Sequence, residues 1–385
     1  MKRIALLIET SRSYGRDLLR GVKRFTVERE PWSLFVEVRD LESKPPAWLK
    51  NWDGDGILTR SGSDAIAEAV KRVGVPAVEL RSTQRGSGFP FVGVDNDAVG
   101  ELVVDHLRER GFQNFGVYAL TTEQFFVERR DSFVRQIETG GGACYEFQQS
   151  GSTERPSQWE RQQQRLIQWL ADLPKPIGIM ACTDQLGCWL LDACGRAGIK
   201  VPEEVAVIGV EDDQTLTAMS TPPLSSVRLA GERIGFTAAK LLDQMMRGNR
   251  ASCIDSRRPK LLPPLGIMTR QSSDVVAIED PLLSAAIQYI RQHACEGIRV
   301  DNVLAHVPVS RSALERGFRS VLGRSPNREI NRVRIEKAKE VLRMTDLPLE
   351  QVSRRAGFAT PQYFSHLFKT TTGKTPGQYR ASGSA

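Results

Sequence analysis

The stretch LPLEQVSRRAGFATPQYFSHLFKTTTG (residues 347–373) repeats the pattern of VPVSRSALERGFRSVLG (residues 307–323), which lies about 50 residues earlier. In each stretch a hydroxyl side chain suited to cap a helix is followed by apolar residues on one face and then by glycine, at identical spacing. The matching positions are Ser310, Leu314, Phe318 and Gly323 in the first stretch and Thr360, Phe364, Phe368 and Gly373 in the second. This duplication predicts two helix-turn-helix units.

A long amphipathic helix is predicted between the two units, from Pro326 to about Met344. Its apolar residues share one face: Ile330, Val333, Ala338, Val341 and Leu342. At 1.5 Å per residue, a helix of this length sets the two units roughly 30 Å apart, which is close to one turn of B-DNA. Both units can therefore enter successive major grooves on one face of a duplex.

Positive charge is concentrated in the same part of the chain. Residues 281–385 contain 17 lysines and arginines but only 8 acidic residues, whereas the whole chain has 53 and 46. Localised basicity of this kind is typical of a surface that contacts phosphate. We therefore expect double-stranded DNA as the partner of this segment, and another role for the nearly neutral residues before it.

Outward-facing side chains near the start of each second helix are the candidates for reading bases. We predict base contacts from Ser312, Glu315 and Arg316 in the first unit and from Gln362, Tyr363 and His366 in the second. Arginine and glutamine suit bidentate contacts with guanine and adenine respectively. Phosphate contacts are predicted for the basic residues Arg311, Arg319, Arg355 and Lys369. The alternative for this basic set is an ordinary solvated surface.

Residues 1–272 alternate short apolar, β-branched runs with amphipathic segments of helical length. Strands are predicted at residues 4–8, 35–38, 56–58, 77–80, 91–94, 115–120, 143–147, 177–182 and 205–210. Such alternation predicts parallel sheets covered by helices on both faces. The region is too long for one doubly wound sheet, so we expect two α/β lobes, a linker at residues 273–280 and an all-α domain at residues 281–385.

Polar side chains follow several of these strands, where open α/β sheets bind their ligands. The candidate ligand residues are Tyr14, Arg129, Asp184, Glu211 and Asp212. Carboxylates and a guanidinium can bridge neighbouring hydroxyl groups, and an aromatic ring can cover the apolar face of a sugar. A small sugar or polyol is therefore the predicted ligand. The alternatives are a helix cap for Asp184, as also for Asp97, and a solvated surface for Arg129.

Four motifs of this region resemble the LacI/GalR family and the periplasmic-binding-protein type I fold. They are Arg129 with Phe133 four residues later, ACTDQLG (181–187), VAVIGVEDD (205–213) and TPPLSSVR (221–228). The resemblance implies that Arg129, Asp184 and one acid of the pair Glu211 and Asp212 contact a sugar. The family usually has aspartate where Glu211 stands, which leaves open which acid reaches the ligand. Because the first predicted strand begins at Ile4, we expect no helix-turn-helix of the kind usual at the N-terminus in that family.

Residues 281–385 resemble the DNA-binding domain of the AraC family. The motifs are AGF (356–358), the pair Phe364 and Phe368, and the ending GKTPGQYR (373–380). With a LacI-like sensor in front, the domain order is similar to that of xylose-operon activators. This resemblance implies a homodimer that takes D-xylose as effector and acts with RNA polymerase. A cytoplasmic location is expected from the sequence itself, which has no apolar run of signal-peptide or membrane-span length and no paired cysteine spacing. Other pentoses and hexoses stay open, as does whether the sugar raises or lowers DNA affinity.

Other classes of protein have little support in the sequence. Gly93 and Gly100 have the wrong spacing for a dinucleotide-binding loop, and no Ser-His-Asp, HExxH or P-loop pattern occurs. We expect no catalysis and no cofactor; the alternative is a Rossmann-like enzyme with a basic C-terminal domain. The six cysteines and four histidines lack metal-site spacing, and no apolar run has the length of a membrane span or signal peptide. Neither a metal nor a membrane is expected.

Overall fold

The computed structural model describes residues 1–29, 31–40, 43–81, 87–147, 159–248, 259–274, 280–345 and 347–383. The chain divides into two compact units, Met1–Val275 and Val276–Ala385. Within the described ranges the first unit is α/β and the second contains helices and no strand. The predicted fold class is confirmed.

The first sheet of unit 1 is wholly parallel, with its strands in the order β2–β1–β3–β4. Its strands are β1 (Lys2–Leu7), β2 (Trp32–Val36), β3 (Gly56–Thr59) and β4 (Ala77–Glu79). Between them lie α1 (Ser13–Glu28), a 3-10 helix (Ala47–Asn51) and α2 (Asp64–Val73). Every residue of β3 and β4 is buried. Since side chains alternate across a strand, both faces of the sheet are covered at these two strands, whereas the edge strand β2 is partly exposed.

The second sheet has the strand order β12–β10–β9–β8–β6–β7, and β5 pairs separately with β11. The strands are β5 (Val92–Val94), β6 (Asn114–Tyr118), β7 (Cys144–Phe147), β8 (Ile177–Ala181), β9 (Val205–Glu211), β10 (Ser225–Arg228), β11 (Lys260–Leu262) and β12 (Gly266–Met268). Only β12 runs antiparallel to its neighbour. The sequence pattern misses β10, β11 and β12. The residues of β10 are mostly polar (SSVR), so this strand lacks the apolar run by which the other strands were recognised.

The helices of this part of unit 1 begin at caps that differ from those predicted. They are α3 (Asn96–Arg108), α4 (Gln124–Thr139), α5 (Trp159–Asp172), α6 (Asp184–Arg196), α7 (Gln214–Met219) and α8 (Gly231–Met246). Asp95, not Asp97, caps α3, and Thr183, not Asp184, caps α6. The predicted caps lie one or two residues inside their helices, so their carboxylates point to other partners.

The chain leaves unit 1 later than the sequence predicts. Ser273, placed by the sequence at the start of the linker, is fully buried together with Ser272. The Ser273 hydroxyl lies 3.0 Å from Nε2 of His106, which is a tertiary contact that local composition does not reveal. Residues 275–279 of the predicted linker lie outside the described residues. Asp280 caps the first helix of unit 2.

Unit 2 contains the predicted duplication. Its helices are Pro281–His293, Val300–His306, Arg311–Leu322, Pro326–Met344, Leu349–Arg355, Pro361–Thr372 and Pro376–Gly383. Ser310 and Thr360 cap the two equivalent helices as predicted, and both helices end at a left-handed glycine. The long helix serves two cores: Ile330 and Val333 pack in the first core, and Ile335, Ala338, Val341 and Leu342 in the second.

Candidate functional site

Side chains at the carboxyl ends of strands from both sheets of unit 1 converge on one cleft. Its volume is about 380 Å³, part of which is open to solvent. The lining residues are Tyr14, Arg60, Leu80, Arg81, Phe91, Val94, Asn96, Phe125, Arg129 and Glu211. The position and the mixture of apolar walls with a few polar groups are those of a small-molecule site.

Three of the five predicted ligand residues, Tyr14, Arg129 and Glu211, line this cleft. Tyr14 lies in the first turn of α1 and is buried, and the guanidinium of Arg60 stands 5.1 Å from the centre of its ring. Burial raises the pKa of the Tyr14 phenol. The hydroxyl therefore remains protonated at neutral pH and can donate a hydrogen bond.

Arg129 is held in one position by both ends of its guanidinium. Its Nη1 donates to the carbonyl of Cys182 at 2.6 Å, and its Nε donates to Oδ1 of Asn96 at 3.1 Å. Its Cζ lies 4.9 Å from the centre of the Phe125 ring, one turn earlier on α4. Nη1 is also 3.9 Å from a carboxylate oxygen of Glu211. Burial lowers the pKa of Arg129, but an arginine stays charged. The alternative of a solvated arginine is wrong, since the residue is only 3% exposed.

Asp184 lies outside this cleft and is bonded within the protein. It is fully buried; Oδ1 accepts a hydrogen bond from the Ser226 hydroxyl at 2.5 Å, and Oδ2 accepts one from the Asp213 backbone at 2.7 Å. Burial raises the pKa of Asp184 well above its ordinary value. In this arrangement the carboxylate joins α6 to the ends of β9 and β10. Its predicted sugar contact stays a prediction.

Asp212 directly follows Glu211, but the two carboxylates have different partners. Glu211 and Asp212 have φ angles of 118° and 55°, in the left-handed region that residues other than glycine seldom adopt. Glu211 lines the cleft, whereas the Asp212 carboxylate is bound by Nε of Arg228 at 2.8 Å and by Nη2 of Arg270 at 2.6 Å. Of the two acids that the sequence leaves open, Glu211 is the one that lines the cleft.

Three polar cleft residues, Arg60, Arg81 and Asn96, were missed by sequence reasoning. Each follows a strand closely, after β3, β4 and β5, so the strand-end rule that selected the other candidates could have found them. Arg60 forms an ion pair with Glu9, and Arg81 forms one with Glu123. Because each of these arginines is paired with a carboxylate, the cleft offers many hydrogen-bonding groups without a large excess of charge.

The second candidate site is the exposed side of two helices in unit 2, Arg311–Leu322 and Pro361–Thr372. The predicted DNA-contacting residues on this side are exposed at Arg311, Ser312, Arg316, Arg319, Gln362, Tyr363, His366 and Lys369, while Glu315 is half-buried. The opposite sides bury the apolar residues Leu314, Phe318, Phe364 and Phe368. The sequence therefore assigned the inner and outer faces correctly.

Several of these side chains have protein partners that restrict them. Arg311 forms an ion pair with Asp301, and Glu315 lies 3.5 Å from Arg319 on the next turn. The Tyr363 hydroxyl accepts a hydrogen bond from Asn331 of the long helix at 3.2 Å. Exposed ion pairs are weak, so a phosphate can replace the carboxylate partner of either arginine at little cost.

No helix within the described ranges has the length and apolar character needed to span a membrane. Among the same residues, no group of three or more histidine, cysteine, aspartate or glutamate side chains is placed to hold a metal ion.

Three family models match successive parts of the chain. A XylR N-terminal domain matches residues 3–97, a periplasmic binding protein-like domain matches residues 104–273, and a helix-turn-helix domain matches residues 303–382. The first two cover the unit that contains the cleft, and the third covers the two helices whose exposed sides are predicted to contact DNA.

Two relatives and one solved structure are similar over almost the whole chain. The xylose operon regulatory protein of Haemophilus influenzae is 31% identical over 98% of this chain and 98% of its own length. The xylose operon regulatory protein of Escherichia coli K12 is 32% identical over 98% of this chain and 96% of its own length. A structure of the xylose-binding transcription activator XylR is 30% identical, covers 99% of this chain and 98% of its own, and has a TM-score of 0.78.

Proposed function

This chain belongs to the family of xylose operon regulatory proteins, and from that membership we propose that it is a DNA-binding regulator of xylose genes whose effector is D-xylose. The cleft in unit 1 is the observation that supports the proposed sugar response. It presents a protonated phenol, paired guanidinium groups and a carboxylate from separate strand ends, beside apolar and aromatic walls.

The charges of the cleft favour a neutral polyol over an anionic ligand. Arg60 and Arg81 are each in an ion pair, and Arg129 stands near Glu211. An uncharged sugar can use the remaining hydrogen-bonding capacity without separating these pairs. We propose that Arg129 donates to one hydroxyl of the sugar while Glu211 accepts from a neighbouring one, with the Phe125 ring against an apolar face.

Unit 2 supports the DNA-binding half of the proposal through its duplicated helix-turn-helix architecture. The exposed sides of Arg311–Leu322 and Pro361–Thr372 carry the side chains suited to bases and phosphates. We propose that the protein acts in the cytoplasm as a homodimer, binds two half-sites and activates transcription with RNA polymerase. In such a dimer, binding of one DNA-binding unit to its half-site holds the other near the second half-site. The resulting high effective concentration raises the affinity for DNA.

Calorimetric titration of the full chain tests the ligand assignment. D-Xylose, L-arabinose, D-ribose and D-glucose are compared with D-xylonate, which has a similar carbon skeleton but carries a negative charge. We expect D-xylose to bind most tightly and D-xylonate to bind at least about tenfold more weakly, because the carboxylate would face Glu211. Tighter binding of D-xylonate, or no binding of any neutral sugar, would overturn the assignment. Nicotinamide and flavin cofactors in the same titration test the alternative of an enzyme.

A further inference from the structure

Residues 270–273 lie close to the end of unit 1, before the helix Pro281–His293; we name them the exit segment. Both the backbone and the side chain of Ser272 form hydrogen bonds to the second sheet. Val207 N donates to the Ser272 carbonyl at 2.8 Å, the Ser272 hydroxyl donates to the Val207 carbonyl at 2.6 Å, and Ser225 N donates to that hydroxyl at 2.8 Å. The exit segment is therefore bonded to β9 at Val207 and to Ser225, the first residue of β10.

Arg270 joins the exit segment to the acidic turn at the end of β9. Its Nη2 lies 2.6 Å from Oδ1 of Asp212, and its Nη1 donates to the Leu224 carbonyl at 2.9 Å. The Asp212 side chain is 2% exposed, so solvent screens this ion pair only weakly. Asp212 directly follows Glu211, which lines the cleft. One peptide bond and one ion pair thus separate a cleft carboxylate from the exit segment.

The backbone of Glu211 and Asp212 has an unusual conformation that makes this turn sensitive to its surroundings. Both residues are in the left-handed region, and such conformations persist only where the surroundings hold them. Here the turn is held by the Ser226 hydroxyl, which accepts from Asp212 N at 2.9 Å, and by Arg228 and Arg270 on the carboxylate. A ligand that rotates Glu211 alters the neighbouring Asp212 backbone and hence its pairing with Arg270.

A second element of the cleft reaches the same exit segment. Asn96, which lines the cleft and accepts from Arg129, is the first residue of α3. Near the other end of that helix, Nε2 of His106 lies 3.0 Å from the Ser273 hydroxyl, and Nε of Arg110 donates to the Ser273 carbonyl at 3.0 Å. The exit segment is thus attached at both ends to elements that line the cleft.

We propose that Arg270 and Asp212 are positioning residues that transmit occupation of the cleft to the exit segment, and through it to the DNA-binding unit. Asp212 acts through Arg270 and does not contact the sugar. The inference rests on the proposed sugar response, because it requires a ligand beside Glu211. A ligand shifts this equilibrium only by binding one geometry of the turn better than the other.

The test uses full-length wild-type protein, Arg270→Met, Arg270→Lys and the control Arg196→Met. Arg196 lies in unit 1 and pairs with Glu160 and Asp192, neither of which belongs to the exit segment. For each protein the D-xylose Kd is measured by titration. Hydrogen exchange of residues 205–213 and 266–274, and affinity for a duplex selected by the wild type from random DNA, are each measured with and without D-xylose.

In the absence of DNA we expect wild type and all variants to bind D-xylose with a Kd of the same order. We also expect D-xylose to change hydrogen exchange in residues 205–213 in every one of these proteins. In wild type and Arg196→Met the change extends to residues 266–274, and D-xylose changes DNA affinity by about 5- to 150-fold. In Arg270→Met the change stops before residue 266, and the ratio of DNA affinities falls to about one. Arg270→Lys keeps the positive charge but has one ammonium group, which cannot bond both Asp212 and the Leu224 carbonyl as the guanidinium does. We therefore expect its ratio of DNA affinities with and without D-xylose to lie between those of wild type and Arg270→Met.

The outcomes separate this inference from the proposed function. A wild type that binds no neutral sugar refutes the proposed function itself. A sugar-responsive wild type whose response persists unchanged in folded Arg270→Met and Arg270→Lys overturns the inference alone. Loss of D-xylose affinity in folded Arg270→Lys also overturns it, because Arg270 would then serve the cleft directly. If Arg270→Met does not fold, the ratio for Arg270→Lys decides.

Discussion

Replacement of Arg129 by methionine removes the guanidinium from the centre of the cleft and leaves an apolar chain beside Phe125. In the native protein this group donates to the Cys182 carbonyl at 2.6 Å and to Asn96 at 3.1 Å, and it lies 3.9 Å from Glu211. We expect the substitution to lower both D-xylose affinity and folding stability, because the guanidinium serves the ligand and the lobe at once.

The two effects have separate magnitudes. A charged hydrogen bond to a sugar hydroxyl contributes about 1.5–3 kcal/mol, so the Kd should rise roughly 10- to 150-fold. Two buried acceptors also lose their donor, at a cost of about 1–3 kcal/mol each. Removal of a buried charge offsets part of this cost, so the free energy of unfolding should fall by about 2–3 kcal/mol. With an ordinary stability of about 5–15 kcal/mol, the variant remains folded.

Urea unfolding and calorimetric titration at low temperature measure the two quantities on the same preparation. Arg130→Met is the matched control: Arg130 is the next residue on α4, pairs with Asp131 and Glu146, and does not line the cleft. We expect near-native D-xylose affinity and stability in this control. Wild-type D-xylose affinity in folded Arg129→Met, or an equal loss of affinity in Arg130→Met, would refute this role of Arg129.

The remaining predictions concern DNA binding, coupling and acid stability. Residues 280–385 alone should bind DNA in a salt-dependent manner; Arg316→Ala should relax preference at one or two base pairs by about 1–3 kcal/mol, whereas Lys369→Ala should weaken all sequences and reduce the salt slope by about one unit. A salt-insensitive fragment, or an equal effect of Arg316→Ala on every site, would contradict these roles. A duplex with two half-sites should change the D-xylose Kd by the same factor by which D-xylose changes the Kd for that duplex. Equal D-xylose Kd values with and without the duplex would exclude this coupling. Burial, assisted by Arg110, lowers the pKa of His106 to about 3. The unfolded chain, with a histidine pKa of about 6.5, binds the extra proton, so stability should fall by up to about 1.4 kcal/mol per pH unit as the pH drops below 6.5 towards 3. His106→Gln should flatten this decline in urea unfolding relative to wild type, and identical slopes would refute the assignment; the comparison with wild type cancels the opposite effect of Glu79 and Asp184, whose pKa values burial raises.

The sequence by itself determined the helical unit and its inner and outer faces. Caps at Ser310 and Thr360 and glycines at Gly323 and Gly373 act within one helical turn, so their spacing reveals their role, and the structure confirms both pairs. The alternation of strands and helices likewise predicted the α/β class of unit 1. It also placed Tyr14, Arg129 and Glu211 after strand ends, where the cleft lies.

Only the tertiary structure decided which of the candidate carboxylates lines the cleft. Asp184 bonds to Ser226, 42 residues away, and Asp212 bonds to Arg270, 58 residues away. Pairs this distant leave no period in the sequence, and the left-handed backbone that sends Glu211 and Asp212 to different partners belongs to residues that rarely adopt it. The burial of Ser273 depends in the same way on a contact with His106 across 167 positions. Sequence patterns report local geometry, whereas the partner of a buried charge is selected by the packing of the whole lobe.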